Sequence, residues 1–224
     1  MKRSLAALVV LSVLPLSGCV VAAVSAVGAG AVATVQERSV GTAIDDAGAG
    51  AEIKAKLISR GGYGEVNVKV SDHTALLTGR VQSPEMRVTA EQVAWSSSRV
   101  HNVANEIQIE SPGGFRANAS DAWITTKART SLTTSRKVRG VNYSIETYNG
   151  VVYLMGIART EAELQEAARR VSLVKGVNQV VSYVKVKGEN SNGPGHIVQD
   201  TQVVTQQDIS DARANAELAG GASY

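Results

Sequence analysis

The chain has 224 residues, of which 44% are hydrophobic and 19% charged, with one cysteine and a formal net charge of +3. A single cysteine excludes an internal disulfide as a fold staple. With so small a net charge, the distribution of charge says more than its total. Setting aside an apolar start and a polar end, about 150 residues remain for folded structure, enough for two small domains or one of ordinary size.

The chain starts with the basic Met1-Lys2-Arg3. An apolar run, Leu5 to Leu16, follows, broken by Ser12 and Pro15, and then come the small residues Ser17 and Gly18 before Cys19. That is the order of a secretory signal. Leu16-Ser17-Gly18-Cys19 resembles the lipobox of bacterial lipoproteins. The resemblance implies that the Cys19 sulfur takes a diacylglycerol, the leader is cut before it, and the new amine is acylated, with palmitate among the chains. Two other readings fit the same residues. The cysteine could be a small buried hydrophobe, but it closes a signal-like segment. Leu5 to Val35 could be an uncleaved span, since it carries no charge and exceeds the ~20 residues a crossing needs; Pro15 and Gly28-Ala29-Gly30 argue against one regular helix. Residues 1–18 are thus read as a signal peptide with lipobox, and 19–44 as a lipidated Ala/Val/Gly-rich linker.

From Ala51 to Glu110 there are seven basic and seven acidic residues, and Ile53 with Leu57 forms one helical stripe. In "VNVKVSDHTALLTGRV" (Val66 to Val81), valines alternate with polar residues at the period of a half-buried strand, and Asp72-His73 makes a weak turn. Pro84 suits a first helical turn, and Met86, Ala90, Val93 and Ala94 follow at helical spacing, with Trp95 read as packing beside them. "VHNVANEIQI" (Val100 to Ile109) closes the unit as a further strand. The pattern then repeats. Ser120 is the expected N-cap and Asp121 a first-turn acid for a helix with the stripe Ile124, Ala128, Leu132. "YSIETYNGVVYLMGIA" (Tyr143 to Ala158) lies over the first hairpin at an offset of 77, now with the strong turn Asn149-Gly150. Thr160 caps a second helix carrying Leu164, Ala167, Ala168, Val171 and Val174, where Glu161 and Glu163 are explained by the macrodipole. "VNQVVSYVKV" (Val177 to Val186) keeps the offset. Gly79 and Gly156 match, which points to a bulge or a close backbone approach. The second copy is read with about six extra residues between first helix and first strand.

Each copy therefore reads helix, strand, strand, helix, strand: an α+β fold with a small three-stranded sheet, mixed or antiparallel, and two helices on one face. Two αββαβ copies with strands ending "LLTG" and "YLMG" resemble BON domains. Behind a lipobox they resemble the dual-BON-domain outer-membrane lipoproteins of the DolP type. Boundaries follow at 45–111 and 119–187, with a linker at 112–118 and a polar tail, 188–224, read as disordered.

Chemistry is sparse. His73, His101 and His196 have no cysteine or carboxylate at metal-ligand spacing. Ser96-Ser97-Ser98 lacks a nucleophile elbow, and the glycines match no phosphate loop. The chain is read as a non-enzyme with no cofactor and no metal. Charge singles out Ser120 to Lys187, with eleven basic and five acidic residues, against one and five in the tail. An anionic lipid surface or an acidic protein fits that surplus, and a secreted address disfavours nucleic acid. If Ile124, Ala128 and Leu132 face the sheet, Trp123 and Lys127 lie about 100° round the helix, near Arg129, Arg136 and Lys137. An indole amid cations suits a lipid headgroup interface; an indole folded back on the core fits the residues equally. The resemblance favours the first, since DolP-type proteins bind anionic phospholipid through this helix with an aromatic in the contact, and Trp123 stands at that place; Ile124, Lys127, Arg129, Arg136 and Lys137 are read with it as contacts with a phosphatidylglycerol-like lipid. It also implies a lipid-anchored address on the periplasmic face of the outer membrane, a role in envelope integrity, and outer-membrane assembly proteins as partners. A periplasmic stress chaperone or adaptor, or a peptidoglycan-contacting structural protein, are the alternatives.

Overall fold

The computed structural model describes residues 39–111 and 115–187. The stretch read as a signal peptide, Cys19, most of the stretch 19–44 read as a linker and the 188–224 tail lie outside the described residues. The first copy consists of α1 (Val40–Arg60), β1 (Asn67–Ser71), β2 (Thr74–Thr78), a short β3 (Arg80–Val81), α2 (Pro84–Trp95), β4 (Asn102–Asn105) and β5 (Gln108–Ile109). The second consists of α3 (Phe115–Thr133), β6 (Tyr143–Tyr148), β7 (Val151–Ala158), α4 (Glu161–Ser172) and β8 (Gln179–Val186). Both three-stranded sheets are mixed, and β3 pairs parallel with β5 as a separate two-stranded sheet. The central strand, β2 or β7, pairs antiparallel with β1 or β6 and parallel with β4 or β8.

Both first helices begin earlier than their apolar stripes suggest. Ser39 caps α1 by accepting the Thr42 N–H at 3.0 Å, so Val40 to Ile44 belong to the helix rather than to a linker. α3 starts at Phe115, which puts Ser120 and Asp121 inside it and corrects the expectation of a cap there. Asp121 is buried, and its carboxylate accepts the N–H groups of Asn149 (2.8 Å) and Gly150 (2.9 Å) at the hairpin tip. Asp46 does the same for Asp72 (2.8 Å) and His73 (3.0 Å). That contact holds a turn in which both residues have positive φ, 51° and 61°, without a glycine to relieve it. Asp46 lies 26 residues before its turn and Asp121 lies 28 before the matching one. The second copy is therefore longer by two residues here, not six.

The longer loop is pinned by Glu163. It is buried rather than merely helix-initial, and accepts the backbone N–H of Arg139 (2.8 Å) and the Arg159 guanidinium (2.5 Å). Gly79 and Gly156 each mark a close approach. A Cβ on either would lie 2.1 Å from a carbonyl oxygen, of Glu65 or Asn142, and both have φ above 100°.

Strand parity sets the layering. In β2, Ala75 and Leu77 face the helices while Leu76 points the other way; in β7, Val152 and Leu154 face the helices while Tyr153 and Met155 point away. The two outward faces meet. Leu76 and Ala104 pack against Tyr148, Tyr153, Met155 and Val181, so the central strands are buried on both sides. Both helix layers are consequently outermost, on opposite sides of a sheet-on-sheet centre.

The interface is nearly two-fold. Lys69 pairs with Glu146 (3.4 Å) and Tyr183 donates to Glu106, each pair 77 residues apart and so equivalent in the two copies. Lys185 reaches Asp72 (2.8 Å), and the equivalent residues meet as Asn149 donates to Gln108 (2.8 Å). This is the geometry of an isologous dimer joined into one chain.

Candidate functional site

The solvent face of α3 is set by its buried face. Asp121, Ile124, Ala128 and Leu132 are buried, and the turn of about 100° per residue carries Trp123 and Lys127 outward. Trp123 is 47% exposed, and the Lys127 ammonium stands 5.7 Å from the centre of its ring, at cation–π distance. Thr130 and Thr134 continue that stripe. The hydroxyls of Thr126, Thr130 and Thr134 each donate to the carbonyl four residues back, at 2.8 to 2.9 Å. With its hydroxyls satisfied within the helix, this face is less polar than its residue types suggest. Sequence spacing alone did not single out these threonines; their i, i+4 recurrence was the available signal.

The sequence-derived residues do not all converge. Lys127 belongs to the Trp123 stripe. Arg129 is exposed but lies about 120° round the helix from Trp123. Arg136 and Lys137 are exposed in the turn after α3, about 15 Å along the axis from Trp123. Ile124 is a correction: only 2% exposed, it packs in the core of the second copy and offers nothing to a surface ligand. Trp95 is a second correction. It is 49% exposed, because the step after the buried Ala94 turns it away from the core.

Among the described residues, no three His, Cys, Asp or Glu side chains are grouped to hold a metal. His73 stacks on His101 with centroids 4.6 Å apart and sits by the Arg99 carbonyl at 3.0 Å, as part of the first hairpin's packing. No described helix is long and apolar enough to cross a membrane.

Residues 45–111 and 120–188 each match the BON domain, so the match covers more than half of the chain. The chain belongs to the BON-domain family. It is a dual BON-domain protein of the DolP type, with an α+β fold. It is 41% identical over 145 residues to a protein from the gshII 5' region of Anaplasma centrale, covering 64% of this chain and 96% of that one. The outer membrane lipoprotein DolP of Haemophilus influenzae is 27% identical over 180 residues, 76% of this chain and 89% of that protein. Osmotically-inducible protein Y of Escherichia coli is 26% identical over 152 residues, 66% and 76%. The Trp123 stripe thus belongs to the first helix of the second BON domain.

Proposed function

We propose that this chain is an outer-membrane lipoprotein facing the periplasm, anchored by acyl chains on Cys19, whose second BON domain contacts anionic phospholipid and so supports envelope integrity. The observation that carries the lipid contact is the half-exposed Trp123 with Lys127 at its ring. An indole presents an apolar body and one polar N–H, which suits the headgroup layer, while cations meet phosphate. Each Lys or Arg near an anionic surface contributes on the order of 1 kcal/mol, fading within a Debye length. Acyl chains on Cys19 supply retention, so the helix contact orients the domain and selects the lipid. Similarity to an outer membrane lipoprotein supports the anchor and the address.

A protein-binding role under envelope stress is the second reading; similarity to osmotically-inducible protein Y supports the stress part of it. Vesicle flotation separates the two. The chain from residue 19 onward, carrying Cys19→Ser, should float with phosphatidylglycerol vesicles, stay behind with phosphatidylcholine, and release as salt rises. Binding to neither leaves the protein-binding reading standing. For the anchor, Cys19→Ser in the full chain should abolish fatty-acid labelling; undiminished labelling would contradict it.

A further inference from the structure

The first BON domain has an open cleft between its two helices, and at the matching positions of the second, α4 carries an ion-pair network. The cleft, of about 320 Å³, lies between α1 and α2 and is lined by Lys56, Ser59 and Arg60 from one helix and Thr89, Gln92 and Val93 from the other. Moved by the 77-residue offset, the last three become Glu166, Arg169 and Arg170. In the second domain those three satisfy one another. Arg169 donates Nε and Nη2 to the Glu166 carboxylate at 2.8 to 3.0 Å, and Arg170 donates Nε at 2.8 Å. Burial pushes the Glu166 carboxyl up, and the bonds from the two arginines outweigh it, holding the group below the ordinary value. The second domain thus satisfies this carboxylate within α4 itself.

In the first domain the position matching Glu166 is Thr89, and the acids of α2, Glu85 and Glu91, do not line the cleft. Its cations come from α1. Lys56 is shared with Glu52 (2.7 Å) and the Ser96 hydroxyl (3.0 Å). Arg60, exposed in the last turn of α1, has no acidic partner among the described residues. One cation is therefore in excess of its acid, beside the hydroxyls of Ser59 and Thr89 and the amide of Gln92. The volume exceeds what an inorganic ion needs and reaches the lower bound of small-molecule pockets, about 300 Å³. A carboxylate is matched by paired guanidinium forks, as in the second domain. A point-charge ammonium, one fork and several hydroxyls instead suit the three oxygens of a phosphate ester.

We propose that this cleft binds the phosphate ester of a small polyol, with phosphate between Lys56 and Arg60 and the polyol hydroxyls against Ser59, Thr89 and Gln92. Such an ester has two sources, a lipid headgroup and a free phosphorylated polyol. The helices of the first domain face away from those of the second, so a bilayer held by α3 does not reach the cleft. The site does not depend on the α3 lipid contact.

The test is amide NMR on the chain from residue 19 onward carrying Cys19→Ser, titrated with sn-glycerol 3-phosphate, glycerol and inorganic phosphate. Saturable shifts at 56–60 and 89–96 are expected with glycerol 3-phosphate and none with glycerol. Loss of one charge-assisted partner in Arg60→Ala should weaken binding about tenfold. Thr89→Glu, which puts a carboxylate where Glu166 stands, should abolish the response, and Trp123→Ala should leave it intact. Phosphatidylglycerol vesicles added to the Trp123→Ala chain distinguish the sources: broadening at the same amides assigns the headgroup, and silence assigns the free ester. No saturable response would overturn the proposal. So would a response that survives both Arg60→Ala and Thr89→Glu, or one as strong with inorganic phosphate. Arg60 is exposed, so its variant tests the site even where Thr89→Glu does not fold.

Discussion

The first helices of the two BON domains do the same work inward and different work outward. Ala49, Ile53 and Leu57 on α1 and Ile124, Ala128 and Leu132 on α3 close equivalent cores, and Asp46 and Asp121 hold equivalent turns. Outward, α1 exposes Val40, Ile44 and Ile58 with alanines between them, whereas α3 exposes Trp123, Lys127 and a row of threonines. The inward positions are tied to the sheet by packing and by buried hydrogen bonds, so the copies keep them. The outward positions carry no such constraint, and there the copies differ in chemistry.

The largest test breaks the pair apart. A fragment of residues 115–187 retains its whole helix–sheet core but uncovers Tyr148, Tyr153, Met155 and Val181. At about 1.5–3 kcal/mol per large apolar side chain, it should lose about 5 kcal/mol or more while still melting cooperatively. A fragment with no thermal transition would show that the copies share one core. Next come the paired glycines. Gly79→Ala and Gly156→Ala each force a Cβ onto a backbone oxygen and should cost about 3 kcal/mol or more in chemical denaturation. Unequal costs would mean that the two hairpins are not equivalent.

The turn aspartates should differ slightly. Each gives two charge-assisted bonds, so Asp121→Ala should cost about 2–3 kcal/mol. Asp46→Ala should cost somewhat less, because the turn it releases holds His73 at φ 61° in place of a glycine and relaxes when freed. A smaller pH effect belongs to the second domain. Burial, and then Glu106, pushes the Tyr153 and Tyr183 hydroxyls above the ordinary tyrosine value; burial and then Glu163 do so for Tyr143. Up to about pH 10 both folded and unfolded chains keep these protons. Above it the unfolded chain releases them first, so stability falls as pH rises. Tm followed from neutral to alkaline pH should decline beyond about pH 10, and less steeply for the Tyr153→Phe/Tyr183→Phe chain. Equal slopes would remove the tyrosines from the cause.

Much of this was readable in the chain. The 77-residue offset, the strand alternation, the Asn149-Gly150 turn and the helix starts at Pro84 and Thr160 are local signals, and local signals suffice for an αββαβ unit. Long-range partners were not readable. Asp121 and Glu163 looked like helix-dipole acids because nothing local shows a carboxylate reaching a turn 28 residues ahead or a backbone N–H 24 residues behind. The sheet-on-sheet interface was hidden too. Strands such as β2 and β7 read as nearly continuous apolar runs, and burial on the second face has no periodicity of its own. For the candidate site, spacing placed Trp123 and Lys127 on one flank. It could not show that the indole stands half out of the protein, nor that Trp95 does as well.

Those two tryptophans give the most direct measurement, because their exposure is nearly equal, 47% for Trp123 and 49% for Trp95. Trp123→Ala and Trp95→Ala should each leave stability within about 0.5 kcal/mol, as surface changes do. Flotation with phosphatidylglycerol vesicles, using the chain from residue 19 onward carrying Cys19→Ser, should then separate them. Trp123→Ala is expected to lose most of the bound fraction, and Trp95→Ala to float like the parent. Loss of flotation in Trp95→Ala with Trp123→Ala unaffected would place the membrane contact on the first BON domain and contradict the assignment to α3.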